Sequence, residues 1–223
     1  MIIKDICENS SKYYISFLND ASTKIKEDNL ISPLKVALDK KDIPYKTIQI
    51  SKEQDFSVTL PARLVSDHWN LLIPTMDRRI FLDNYVKKLG EFASSCITYE
   101  VSLLGSQEWE KSTAEYLGDF NKLKVQIYTP YSINFDSKEY KNFKSKFSAT
   151  YSKTLKNLHP SYGVLGYDVV TYFIGGISTC GDNFIYRANS ISATGLQSGF
   201  QFQREKASDG YINRKVFHIT YTK

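Results

Sequence analysis

Thiols and imidazoles are scarce in this chain, and their scarcity removes several kinds of chemistry at once. The three cysteines, Cys7, Cys96 and Cys180, are odd in number and share no Cys-x-x-Cys spacing. That excludes a disulfide framework and a thiol-rich metal centre, and leaves room for one bridge at most. The three histidines, His68, His159 and His218, fall on a helix end, a loop and a terminal strand, with no His-x-His or His-Glu-x-x-His pattern between them. A metal needs several converging ligands held in orientation by their neighbours, so no metal site is expected. No serine stands in a Gly-x-Ser-x-Gly elbow. The glycine-bearing stretches "HPSYGVLGYD" and "TGLQSG" match neither GxxxxGK[ST] nor GxGxxG after a strand, so no nucleotide cofactor is expected. An enzyme built on Asp20 and Asp77 would still lack a metal or a general acid. A non-enzymatic role is the expectation.

Dense charge of one sign is also missing. The net charge of +5 comes from lysines scattered along the chain, whereas nucleic-acid binding usually concentrates them on one element, so no nucleic-acid partner is expected. No run of eighteen apolar residues spans a membrane, and "MIIKDICENSSKYY" is broken too early, at Lys4 and Asp5, to be a secretory signal. If Met1 is the true start the protein is expected in the cytoplasm. If a targeting segment precedes it, the periplasm or cell envelope is expected.

Apolar residues make up 42% of the 223, enough to bury a core. They come in two periods. The runs at 12–20, 44–50, 70–75, 99–105 and 122–131 are short and apolar, and suit strands covered on both faces. Between them, Leu30, Leu34, Ala37 and Leu38, and then Ile80, Tyr85, Leu89 and Phe92, recur at helical spacing. A short helix interrupted near Pro61 precedes the third strand. Strands alternating with helices of this length predict an α/β fold of three layers, with a mostly parallel sheet between helices. From residue 138 to 156 a long amphipathic helix is expected, with Asp136 or Ser137 as its cap. The stretch "GYDVVTYFIGG" then reads as a helix buried almost all round, with Asp168 in its first turn. Strand-like alternation at Tyr211, Phe217, Ile219 and Tyr221 predicts closing antiparallel strands.

The order of "YYISFLNDAS", "NLLIPTMD", "YEVSLLGSQEW", the tyrosine-proline turn "YTPY", the F-x(3)-F-x(3)-Y helix and the "P-x(5)-GYD" segment resembles the second half of the type I periplasmic binding proteins. These are the leucine/isoleucine/valine-binding receptors of ABC transporters. The resemblance implies Rossmann-like lobes with ligand held between them. It assigns 1–121 to most of the second lobe, 122–180 to a segment returning to a first lobe otherwise missing, and 181–223 to strands closing the second lobe. An incomplete lobe implies exposed apolar surface, and so self-association or a covering partner.

Ligands in open parallel sheets sit beyond the carboxyl ends of the strands. That rule selects Asp20, Ser22 and Thr23 after the first strand, Thr75 and Asp77 after the third, and Ser106, Gln107, Glu108 and Trp109 after the fourth. The resemblance implies that an acidic residue near "GSQEW", Gln107 or Glu108 by position, meets the ammonium of an amino-acid-like ligand. Each has a plainer alternative: Asp20 closes a turn, Glu108 starts a helix where its charge suits the dipole, and Trp109 packs in the core. Two functions therefore stand side by side. One is a small-solute binding or sensory module, and the other an interaction protein of the envelope that keeps the fold without a ligand site.

Overall fold

The computed structural model describes all residues except Ala21, 23–29, Asn157, Asn189 and Lys223. They form two compact units, Met1–Tyr128 with His218–Lys223, and Thr129–Phe217.

In unit 1 the order is α1 (Ile2–Glu8), β1 (Tyr13–Asp20), α2 (Ile31–Asp39), β2 (Tyr45–Ile50), α3 (Phe56–Thr59), β3 (Trp69–Pro74), α4 (Arg78–Phe81), α5 (Lys87–Ser95), β4 (Glu100–Leu103), α6 (Thr113–Lys122) and β5 (Gln126–Thr129). Strands β2-β1-β3-β4 pair in that order, all parallel. A parallel bridge from Leu104 to Gln126 brings β5 beside β4. β1 shows why the sheet is parallel: Ile15, Phe17 and Leu18 are at most 1% exposed, on both faces of the pleat, so both faces must be covered. On one face Leu18, Ile48, Leu72 and Leu103 join a core with Phe81, Tyr85, Leu89, Phe92, Trp109 and Phe120. On the other lie Ile15, Phe17, Leu71 and Ile73, while Ile6 of α1 and Leu34 and Leu38 of α2 are buried too. Pro33 falls in the first turn of α2, where its missing N–H costs nothing. Asp55 and Asp77 cap α3 and α4, each carboxylate accepting backbone N–H groups of the first turn.

Unit 2 holds α7 (Lys138–Tyr151), α8 (Tyr162–Cys180), α9 (Phe184–Arg187), β6 (Ser192–Thr194), β7 (Gly199–Gln203) and β8 (Ile212–Asn213). Ser137 is the cap of α7, its Oγ accepting the Tyr140 amide at 3.2 Å. β6, β7 and β8 are antiparallel neighbours. Their core is aromatic, with Tyr172 stacked on Phe200 at 4.4 Å between ring centroids and Phe184 packed beside them. The last strand, β9 (Phe217–Thr220), pairs with β5.

The fold is thus α/β, a mostly parallel sheet with antiparallel strands near the carboxyl end. The compact units change over at 128/129 and 217/218, whereas the sequence placed breaks at 121/122 and 180/181. Residues 122–128 stay with unit 1 because β5 continues its sheet, and 181–217 stay with α8 because Tyr172 needs Phe184 and Phe200 as packing partners. Two sequence expectations fail locally. Ile80 is 40% exposed and Phe81 takes its place in the core. Helix α8 is not buried all round: Val164, Asp168, Tyr172 and Gly176 are its buried positions, and most of the rest face solvent. Among the described residues no helix is long and apolar enough to cross a membrane.

Candidate functional site

The order β2-β1-β3-β4 reverses direction between β1 and β3, which makes their carboxyl ends the topological switch point of a doubly wound sheet. Asp20 ends β1 and Thr75 follows β3. They are tied together by backbone and side chain: the Thr75 amide and hydroxyl both donate to the Leu18 carbonyl at 3.0 Å. Asp20 is only 3% exposed. Its carboxylate accepts the Ser22 amide at 2.8 Å, the Ser22 hydroxyl at 2.6 Å, and the hydroxyl of Tyr85 reaching up from the core. Burial alone would raise the Asp20 carboxyl. The hydrogen bonds from the Ser22 side chain, Tyr85 and the Ser22 amide, with Lys52 nearby, outweigh it and hold the group below its ordinary value. The same contact works in reverse on Tyr85, whose hydroxyl is pushed well up by burial and by the adjacent carboxylate.

The other residues selected from the sequence divide by what they do locally. Asp77 is half-buried and accepts the amides of Arg79 and Ile80 at 3.0 and 3.3 Å as the cap of α4. Ser106 is buried, caps the 3-10 turn Gln107–Ser112, and accepts the Arg78 guanidinium at 2.9 Å. Gln107 is half-buried and Glu108 exposed, both in the first turn of that segment. Trp109 is not a ligand platform: at 2% exposure it stacks on Phe81 and Phe120, and its Nε1 donates to the Arg78 carbonyl at 2.9 Å. Ser22 is exposed, and Thr23 lies outside the described residues. Between Ile31, Ile73, Pro74, Arg78, Ser106 and Trp109 there is a cavity of about 20 Å³, the space of a single water. Arg78 and Tyr85 both shape this region, and sequence reasoning placed neither in it. For Tyr85 the only signal was its place in the apolar stripe of a helix.

A larger space lies in unit 2, a groove of about 1210 Å³ lined by Phe143, Phe147, Tyr167, Tyr172 and Phe200 among others. Phe143 and Phe147 were visible in the sequence only as the apolar stripe of α7. Above the groove's floor, the "TGLQSG" loop forms an anion cradle whose anion is internal. The amides of Leu196, Gln197 and Ser198 donate to the Asp168 carboxylate at 2.7, 2.8 and 2.8 Å. A Cβ on Gly195 would sit 2.4 Å from that carboxyl, so only glycine lets the loop close over it. Gln197 extends the clamp, accepting the Ser161 amide at 2.7 Å and returning a bond to the Ser161 carbonyl at 3.3 Å. Asp168 therefore serves this loop from the second turn of α8, rather than the helix dipole from the first. Among the described residues no group of three or more His, Cys, Asp or Glu could hold a metal ion.

No family model matches the chain, and no curated protein matches it in sequence. Ten chains of solved structures do match. One is the solute-binding protein of an ABC transporter from R. palustris in complex with benzoate, which is 12% identical with a TM-score of 0.40. The alignment covers 99% of this chain and 62% of that one, so this chain spans less than two thirds of that protein's length.

Proposed function

We propose that the chain is a non-catalytic recognition module of the solute-binding type, taking a small, polar, amino-acid-like ligand at the strand ends of unit 1. The observation that supports it most is the switch point itself. β1 and β3 present Asp20, Ser22 and Thr75 side by side, with Asp77, Gln107 and Glu108 on the adjoining loops. Asp20 acts as a fixed post: held by Tyr85, it orients the Ser22 amide and hydroxyl at the rim. Glu108, exposed at the rim, supplies a carboxylate for a ligand ammonium, which is costly to desolvate without a counter-charge. Trp109 has no part in the contact. On this reading the broad family is that of the type I binding proteins, and the place of action is the cell envelope if a targeting segment precedes Met1 and the cytoplasm if Met1 is the true start.

A thermal-shift screen of amino acids and short peptides tests this. At a hundredfold excess over Kd a bound ligand adds about 2.7 kcal/mol of stability, a shift of several degrees. The expected result is a rise for at least one amino acid that Glu108→Gln abolishes. A flat response across the panel would contradict the proposal.

A second function is favoured by one observation. Asp77 and Ser106 are occupied as caps, and the enclosed space nearby has room for one water. An interaction protein without a ligand site needs nothing more from these residues.

A further inference from the structure

The last strand, β9, brings the chain from unit 2 back into unit 1, and His218 stands at that entry. Its ring ends a chain of polar side chains. The Ser102 hydroxyl donates to the Lys124 carbonyl at 3.0 Å, so toward Gln126 its oxygen can only accept, and it takes the Gln126 Nε2 at 2.7 Å. The same Nε2 donates to the Tyr13 hydroxyl at 3.2 Å. These bonds fix the buried amide of Gln126, with its Oε1 toward His218 Nε2 at 3.1 Å. The other ring nitrogen, Nδ1, faces the Asp5 carboxylate of α1 at 3.8 Å. Both nitrogens therefore look at acceptors. A neutral imidazole carries one N–H and satisfies one of the two, whichever tautomer it takes, whereas the imidazolium satisfies both. The ring of Tyr128 lies flat against it, 4.3 Å between centroids and 6° from parallel, and so presents its π face to the cation.

We propose that His218 is a proton-operated clasp on β9. Neutral, its ring bonds Gln126 of β5 alone; protonated, it also pairs with Asp5 and ties the returning strand to α1. The groups around it keep their own states. Burial and the adjacent Asp5 carboxylate push the Tyr128 hydroxyl well up, so it stays a donor to Asp5 across the histidine range. Tyr13 stands behind Gln126, and Lys12 behind Asn9, whose Nδ2 holds the second oxygen of Asp5 at 3.1 Å. A proton that adds a contact only in the folded chain contributes stability on the acid side of the histidine range, about pH 5 to 8. That contribution is lost as pH rises through the range. The two side chains are 40 and 37% exposed, so the pair has the weight of a surface ion pair. In the opening of β9 that amounts to a change of about two- to fivefold.

The clasp is independent of any ligand at the strand ends of unit 1, and its test does not involve one. Hydrogen exchange on the full chain reads it at the Tyr221 amide, just past β9, which donates to the Val125 carbonyl at 2.9 Å. Corrected for the intrinsic exchange rate, protection there should rise about two- to fivefold in the wild type between about pH 8.5 and about pH 5.5. It should stay level in His218→Gln, which keeps a donor for Gln126, and in Asp5→Asn, which keeps an acceptor for Tyr128. A wild type whose protection stays level or falls on acidification would overturn the proposal, as would the same rise in either variant. A second reading needs no substitution. Histidine-selective ¹⁵N spectra of the wild type at about pH 8.5 should show the neutral ring of His218 with its proton on Nε2. A proton on Nδ1 would overturn the proposal, because the bond to Asp5 would then not wait for acidification.

Discussion

Two buried carboxylates do different work here, and the difference lies in what surrounds each. Asp20 is held by Ser22 and Tyr85 at a strand end, and Asp168 by three consecutive amides of a closing loop. Tyr85→Phe removes one donor from Asp20 and keeps the ring packing on Phe81 and Phe56. It should cost about 1–3 kcal/mol in urea unfolding at neutral pH. The pH dependence has a definite sign. A carboxyl whose folded pKa is depressed adds stability above its unfolded value of about 3.9, and that stability is lost as pH falls through the lower folded value. With Tyr85 gone the folded value rises toward the unfolded one, so the acid-unfolding midpoint followed by circular dichroism should move to higher pH. For Asp168→Asn, charge-assisted bonds of about 1.5–3 kcal/mol each give way to weaker ones, and one amide meets an NH₂ group in place of an oxygen. The amides of Leu196, Gln197 and Ser198 should then exchange with deuterium far faster, while those of β1 and β3 keep their protection.

At the scale of elements, the parallel strands could be read from the sequence and the covered helix faces could not. Runs such as "YYISFLND" are apolar on both sides of the pleat, a pattern tied to burial on two faces, and β1, β2 and β3 fall where that pattern lies. The cap at Ser137 was legible for a similar reason, since a cap is a local interaction among residues close in sequence. Helix α8 was misread because an apolar residue on an inner face and one on an outer face look alike in a sequence. Only the fold distinguishes Tyr172, packed on Phe200, from Ile174, which faces solvent. The switch point was legible from the strand-end rule, but Tyr85 as the donor to Asp20 was not. That contact joins residues 65 apart in sequence and leaves no local trace. Trp109 shows the remaining gap: its place after β4 suggested a rim residue, and its side chain turns inward between Phe81 and Phe120. Trp109→Ala should cost about 3–5 kcal/mol in chemical denaturation, with the loss confined to unit 1. A loss under about 1 kcal/mol would mean that the ring is a surface feature.

For the whole molecule, the two units meet different demands. Unit 1 has a doubly wound sheet with aliphatic and aromatic cores, and Asp20, Thr75 and Ser106 are buried at the carboxyl ends of its strands. Unit 2 has a small aromatic core, an open groove and a helix with an uncovered apolar side. Under the function proposed above, solute recognition belongs to the strand ends of the first. Chemical-shift mapping on the isotope-labelled chain tests that assignment most directly, titrated with whichever amino acid gives the largest thermal shift. Saturable shifts are expected at the amides of Ser22, Thr75, Asp77, Gln107 and Glu108, with Phe143, Phe147 and Phe200 unmoved. Shifts centred on the groove of unit 2, or none at either place, would contradict it.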